Sequence, residues 1–381
     1  MKKITFLMLH MGFGGIESAI SNQANMLCND FEVEIVSIYK LKYAIPYEIN
    51  KKVNIKFLSE LETNKEEFKK AIKSFNIVKT LKEGFKAIKI LYLKKKLLID
   101  YIKQCESDVI ISTRCEFNKF LGKYGKKDKV KVAQEHVHHK DNEKYINKLV
   151  NSVHNIDYLM PVSSELTKFY SKRVSSRTKC VYIKHALDFK HEKYNYKKTN
   201  NLIAVARLSK EKGFSDLLDV ISIISKSKKD ICLNLIGDGV EKENLKQKIK
   251  ELKLEKNVIM HGYKKRPEVN DLLKESSIYC MTSFEESFGL SVIEAMAFGL
   301  PCVAFDDAKG VLEIIDKKTG IVIKNRDKEK MSQEIIDLLK SNDKIIDMSK
   351  KAYEKSLDYS TSNIQKEWIK FYNEVSKWKN I

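Results

Sequence analysis

Short apolar, β-branched runs recur along the whole chain at intervals long enough to hold a helix, and this alternation limits the fold more than any other feature. In the first half the runs are residues 4–9, 33–38, 53–58, 109–112, 130–133, 158–162 and 181–183. In the second half they are 202–206, 231–236, 258–261, 278–281, 302–305 and 321–323. Between them residues share helical faces, as Ile16, Ala19, Ile20, Gln23 and Leu27 do, and Leu245, Ile249 and Leu252. Strands that are apolar throughout and alternate with helices belong to parallel sheets covered on both faces. Two such series in 381 residues predict an α/β chain of two doubly wound domains. The polar, aperiodic stretch 191–201 is the expected boundary, giving domains 1–190 and 191–360. Beyond it, Ile364, Trp368, Phe371, Tyr372 and Val375 recur at helical spacing, so 361–381 should form a helix that packs back on the N-terminal domain.

The seven cysteines are odd in number, scattered and free of C-x-x-C pairs, which predicts free thiols in a reducing compartment. The apolar run after Met1-Lys2-Lys3 is too short for a signal peptide, and His10-Met11-Gly12 follows where a cleavage site should be. No stretch reaches the ~18 apolar residues of a membrane span, so a cytoplasmic protein is expected. The formal net charge of +20 points to an anionic partner: nucleic acid, a membrane surface or a phosphorylated substrate. A bias of composition toward Lys, Ile and Asn is the alternative.

Ligands of open α/β sheets bind beyond the carboxyl ends of strands, and chemistry-bearing residues cluster there. Arg207 ends one apolar run and Lys212 follows five residues on, two cations suited to a diphosphate. Glu286 lies in the loop before a helix expected near 289–299, closed by Gly299 and Pro301. Glu294 is surrounded by apolar residues within that helix and is costly to bury unless hydroxyls bond to it. Gly237 and Gly239 follow a strand, either for a tight turn or for a ligand close to the backbone. Gly12-Phe13-Gly14-Gly15 follows the first strand, but its spacing is not the dinucleotide fingerprint, and no acidic ribose partner ends the second strand. His136, His138 and His139 crowd the end of another strand; a metal site is one reading, and His136 as a donor to substrate is the other.

The stretch from Ser283 to Ala304, with its E-x7-E pair on Glu286 and Glu294, resembles the family 4 retaining glycosyltransferases, the glycosyl transferases group 1. The Arg-Leu-x-x-x-Lys-Gly of Arg207–Gly213 belongs to the same pattern, with Cys302 where Val is usual. The likeness extends to Gly14-Gly15 with Glu17, His136, Val162-Ser163, Asp188, the Gly237/Gly239 pair and His261-Gly262-Tyr263. It implies the GT-B fold, two Rossmann-like domains with a deep cleft between them. It also implies Arg207 and Lys212 on the donor diphosphate, and Glu294 on the ribose. Glu286 would hold the sugar hydroxyls, with Phe288, Gly289 and Leu290 nearby. Gly262 and Tyr263 would meet the base, and His136 the sugar. Lys184-His185-Ala186-Leu187 departs from the family pattern before Asp188, which leaves that residue's role open.

The implied reaction moves a hexose or N-acetylhexosamine from a nucleoside diphosphate sugar to a glycan or lipid-linked acceptor in bacterial surface polysaccharide assembly, of capsule, lipopolysaccharide or teichoic acid type. UDP is the default nucleotide, with GDP and ADP open. No Asp-x-Asp occurs, so Arg207 and Lys212 are expected to replace a metal, with no cofactor required. Residues 65–103 hold 12 lysines and four acids around Phe68, Ile72, Phe75, Leu81, Phe85, Ile88 and Tyr92. That pattern fits peripheral docking on an anionic membrane, or a helix packed on its own sheet with lysines in water. Arginine is too scarce for a nucleic-acid binder. A GT-B-like sugar-nucleotide epimerase or phosphorylase shares the architecture and is the alternative enzyme.

Overall fold

The structure, a computed structural model, describes residues 2–60, 64–139, 141–187, 191–286 and 288–375. The chain divides into two compact units, Met1–Ala186 with Gln365–Ile381, and Leu187–Ile364.

Unit 1 contains β1 (Lys3–Met8), α1 (Gly15–Leu27), β2 (Glu32–Tyr39), β3 (Asn54–Ser59), α2 (Lys65–Lys73), α3 (Ile77–Gln104) and β4 (Val109–Ser112). It continues through α4 (Cys115–Tyr124), β5 (Val130–Glu135), α5 (Glu143–Ser152), β6 (Tyr158–Pro161), α6 (Ser164–Ser171) and β7 (Lys179–Cys180). Among the described residues its strands form one seven-stranded parallel sheet in the order β3-β2-β1-β4-β5-β6-β7. β4 and β5 are buried at every position, as strands covered on both faces must be. The apolar run 181–183 is not a strand: only Tyr158 and Leu159 of β6 pair with β7, and 181–187 follow without regular structure.

Unit 2 contains β8 (Asn201–Val205), α7 (Phe214–Ser227), β9 (Cys232–Ile236), α8 (Lys242–Glu251), β10 (Val258–Gly262), α9 (Arg266–Lys274) and β11 (Ile278–Met281). Then follow α10 (Leu290–Met296), β12 (Cys302–Phe305), β13 (Gly320–Ile323), α11 (Lys328–Lys340) and α12 (Asn342–Ser356). Its six-stranded parallel sheet has the order β10-β9-β8-β11-β12-β13. Leu217, Ile221 and Ile224 of α7 bury against Leu202, Leu233 and Val303 of the sheet, each burial worth roughly 1.5–3 kcal/mol. The polar stretch 191–201 belongs to this unit rather than lying between the two. The Tyr194 hydroxyl bonds Ser349 at 3.0 Å, and Tyr196 donates to the Ser277 carbonyl at 3.2 Å.

The last helix, α13 (Thr361–Val375), buries Trp368, Phe371 and Tyr372 in unit 1. Gln23 donates to the Tyr372 hydroxyl at 3.0 Å, Gln365 donates to the Met26 carbonyl at 2.9 Å, and Phe371 meets Tyr158 edge-on at 5.3 Å. All seven cysteines are unpaired thiols. Among the described residues no helix is long and apolar enough to cross a membrane.

Candidate functional site

In each sheet the strand order reverses beside a central pair, β1/β4 in unit 1 and β8/β11 in unit 2. Crevices at such switch points are where open α/β sheets hold ligands.

In unit 2 the loops after β8 and β11 are fastened together. Lys210–Lys212 form a 3-10 turn that ends at Gly213, φ 65°. A Cβ on Gly213 would lie 2.0 Å from the Thr282 carbonyl oxygen, so only glycine lets the loops come this close. Thr282 Oγ1 donates to the Lys212 carbonyl at 3.2 Å, and the Phe284 amide donates to the Glu211 carbonyl at 2.9 Å. That scaffold brings Lys212 Nζ to Glu286 Oε2 at 2.7 Å, with side chains only 19% and 20% exposed. Residues 74 positions apart thus form one charge-assisted pair at the switch point.

The other expected residues surround this pair in different ways. Arg207 is 72% exposed and bonds Glu211 at 2.7 Å, so it does not join the Lys212–Glu286 pair. Glu294, on α10, accepts from Arg266 at 2.7 Å. Phe288 and Gly289 are buried, and a Cβ on Gly289 (φ 94°) would strike Val311 at 2.4 Å. Leu290 opens α10 half-buried. Gly262 turns left-handed (φ 68°) with no atom near its missing Cβ, and Tyr263 beside it is exposed. At Gly237 and Gly239 the approaching group is the protein's own backbone. Added Cβ atoms would lie 1.9 Å from the Ala206 carbonyl and 2.3 Å from that of Leu208. These glycines position the Arg207 loop. Asp188 and Ser287 lie outside the described residues.

Two arginines at this site carry no signal in the sequence motifs. Arg266 neutralises Glu294. Arg326 donates to the Thr282 carbonyl at 2.9 Å, to Asp216 at 2.6 Å and to Asp307 at 3.0 Å, and lies 3.6 Å from the Phe284 ring centre. Asn325 and Arg326 both have positive φ, a strained arrangement held in place by these contacts.

In unit 1, Gly14 is extended, and its amide and carbonyl both bond the Tyr47 hydroxyl, at 2.9 and 2.8 Å. The Glu17 carboxylate fills the space where a Gly14 side chain would go, and Gly15 faces open space. Glu17 is buried, 3.5 Å from His10 Nδ1. His136 follows β5 with its Nε2 enclosed and unbonded, its ring stacked 5.7 Å from that of His185. Burial, and then the His185 ring, push His136 down to about 3, while burial pushes His185 down to about 4. The three histidines do not act together. His139 Nδ1 accepts from the Asp141 amide at 2.9 Å, and its ring stacks on Phe169 at 4.3 Å. Among the described residues no three His, Cys, Asp or Glu side chains converge to hold a metal. Glu135, the last residue of β5, is the residue that the motifs miss here: burial pushes its carboxyl up to about 7, against the Val137 amide 2.9 Å away.

Residues 187–355 match the family model described as glycosyl transferases group 1. The second unit is a glycosyl transferases group 1 domain. An uncharacterized glycosyltransferase of Haemophilus influenzae is 29% identical over 394 residues, 97% of this chain and 99% of its own. A Campylobacter jejuni α-1,4-N-acetyl-D-galactosaminyltransferase, named for a diNAcBac-PP-undecaprenol-linked glycan, is 23% identical over 385 residues, 98% of this chain and 99% of its own. Among solved structures, S. aureus TarM in complex with fondaparinux, α-GlcNAc-glycerol and UDP superposes with a TM-score of 0.76 at 17% identity. That match covers 98% of this chain and 100% of TarM. The two parallel sheets flanked by helices are the GT-B fold, and the chain belongs with the glycosyltransferases.

Proposed function

We propose that the chain is a retaining, metal-independent glycosyltransferase that moves a hexose or N-acetylhexosamine from a UDP-sugar to a glycan or lipid-linked acceptor in bacterial surface polysaccharide assembly. The observation that carries this reading is the Lys212–Glu286 pair at the β8/β11 switch point, with Glu294 on the helix that follows. A donor offers each member of that pair an equivalent partner: a sugar hydroxyl donates to Glu286, and a diphosphate oxygen accepts from Lys212. Arg207, mobile in its reach because it is exposed, supplies a second cation. Glu294 accepts from the ribose hydroxyls, Gly262 and Tyr263 border the base, and Phe288–Leu290 line the sugar. UDP in the TarM complex and the undecaprenol-linked glycan in the Campylobacter name support the donor and acceptor classes.

The chemistry needs little more than fixed charge. The bond from the sugar's anomeric carbon to the diphosphate oxygen breaks, and negative charge grows on the leaving group, where Lys212 and Arg207 hold it. The acceptor hydroxyl attacks from the same face, and its proton passes to the departing phosphate oxygen. His136, held neutral by burial, bonds substrate without adding a charge. On this reading Gly14 and Gly15 leave room beside the chain for substrate, and residues 65–103 bring the enzyme to an anionic membrane surface. A product assay with labelled UDP-sugars, with and without lipid-linked acceptor, tests the proposal. Label moving to the lipid fraction only when acceptor is present supports transfer; acceptor-independent conversion to another sugar nucleotide would assign an epimerase instead.

A further inference from the structure

The segment 65–103 folds as two helices, α2 and α3, joined at Ser74–Asn76, and its apolar face is not packed on the sheet. Val78, Leu81, Phe85, Ile88 and Tyr92 recur at steps of three and four along α3, and all are exposed, Phe85 by 71%. Phe75, at the tip of the hairpin, is 93% exposed with φ 52°, a conformation costly for a bulky side chain. Lys82, Lys86 and Lys89 each follow one residue after a stripe residue, so all three lie about 100° round the helix on the same flank.

That lysine flank borders a cavity of about 710 Å³ at the carboxyl ends of β2 and β3. Lys86, Lys89, Ile90 and Leu93 of α3 line one wall; Lys40 and Lys42, just past β2, line another. Two carboxylates, Glu60 and Glu67, also reach it, and Lys40 bonds Glu60 at 3.2 Å, so lysines outnumber acids four to two. Asn64, buried at the foot of the hairpin, ties it down by donating to the Glu83 carbonyl and carboxylate, both at 2.8 Å. From the cavity, Leu41 and Tyr43 run on to the glycine loop after β1. A Cβ on Gly12 would lie 2.7 Å from Leu41 and 2.6 Å from Tyr43, and Tyr43 stacks on Phe13 at 5.8 Å.

We infer that this cavity holds the diphosphate of a lipid-linked acceptor whose chain lies in the bilayer that the α3 stripe enters. The inference rests on the acceptor reading given above. Lysines facing a cavity with an apolar floor suit a group with a charged head and a hydrocarbon tail, and the stripe beside it has the composition of an interfacial helix. A second copy of the chain is a poor occupant, because a two-fold contact on this face would bring lysine flank against lysine flank. The glycan of such an acceptor would follow Leu41 and Tyr43 toward the β1/β4 switch point.

Flotation with neutral phosphatidylcholine vesicles tests this, comparing a few mole percent of a long-chain prenyl diphosphate with phosphatidylglycerol at matched charge. The wild-type chain should prefer the diphosphate vesicles. Lys86→Gln/Lys89→Gln should lower that preference by about 25-fold, at about five-fold per lysine, and keep binding to phosphatidylglycerol. Phe85→Ser/Ile88→Ser should abolish flotation on both. All four side chains are exposed, so circular dichroism should be unchanged. Acceptor-free nucleotide release reports on unit 2 and separates failure of the transferase reading from failure of this one. Equal flotation on the two vesicles, or a preference undiminished in Lys86→Gln/Lys89→Gln, would overturn the inference. So would a dimer broken by the stripe substitutions in a chain that does not float.

Discussion

Lys212→Met keeps the length and the apolar stem of the side chain and removes its charge. The main chain of the turn does not depend on that charge: the Lys212 amide bonds the Ser209 carbonyl at 3.0 Å, and the Lys212 carbonyl still accepts from Thr282. What is lost is the 2.7 Å bond to Glu286, leaving a carboxylate four-fifths buried without its cation. Allowing for the remaining exposure, that costs about 1–2 kcal/mol of stability. At about 2–4 °C per kcal/mol for a unit of this size, the shift in Tm is small. The transition state loses a fixed cation where the leaving diphosphate gathers charge, a loss of about 2.7–4 kcal/mol, or 100- to 1,000-fold in kcat. Nucleotide release at saturating donor, read beside thermal unfolding, separates the two. A kcat within about three-fold of wild type, with the expected small loss of stability, would refute the reasoning and make Lys212 a structural residue only.

Other consequences are equally open to measurement. Glu294→Ala removes the partner of Arg266 and the ribose acceptor together, so KM for the donor should rise about ten-fold or more while kcat falls less. Gly213→Ala forces a Cβ to within 2.0 Å of the Thr282 carbonyl at φ 65°, and urea unfolding should show a loss above about 2 kcal/mol with activity falling in step. Glu135 and His136 should act oppositely on stability as pH falls. Glu135 is raised to about 7, so the folded state takes up its proton first, and the stability it contributes grows from pH 7 down to about 4.5. His136 is lowered to about 3, so the unfolded state takes up its proton first, and stability is lost from about pH 6.5 down to 3. Chemical unfolding from pH 4 to 8 should therefore show a steeper acid loss in Glu135→Gln and a shallower one in His136→Gln.

Much of unit 2 was legible because its signals are local. Apolar runs mark the buried strands, and the residues just beyond them, Arg207, Lys212, Gly237 and Glu286, fall at carboxyl ends because a parallel strand leaves them nowhere else. Pairing was not legible. That Lys212 reaches Glu286 while Arg207 turns to Glu211 depends on how two loops pack. Arg266 and Arg326, which brace Glu294 and the Thr282 loop, look like ordinary surface charges in the sequence. The Gly237/Gly239 pair reads equally as a ligand cradle or a packing device, and only the carbonyls of Ala206 and Leu208 show that it packs backbone on backbone. The run 181–183 misleads because apolarity marks burial, and a strand also needs an edge to pair with. Periodicity likewise locates an apolar face on α3 and is silent on whether the sheet covers it; the exposure of Leu81, Phe85 and Ile88 answers that.

Nucleotide release from a panel of UDP-, GDP- and ADP-sugars, with and without EDTA, on wild type and Glu286→Ala, tests the central claim most directly. The account predicts that a UDP-sugar is turned over, that EDTA does not stop it, and that Glu286→Ala abolishes it while the protein stays folded. Turnover that collapses in EDTA, or that survives unchanged in Glu286→Ala, would contradict a metal-independent donor site built on the Lys212–Glu286 pair.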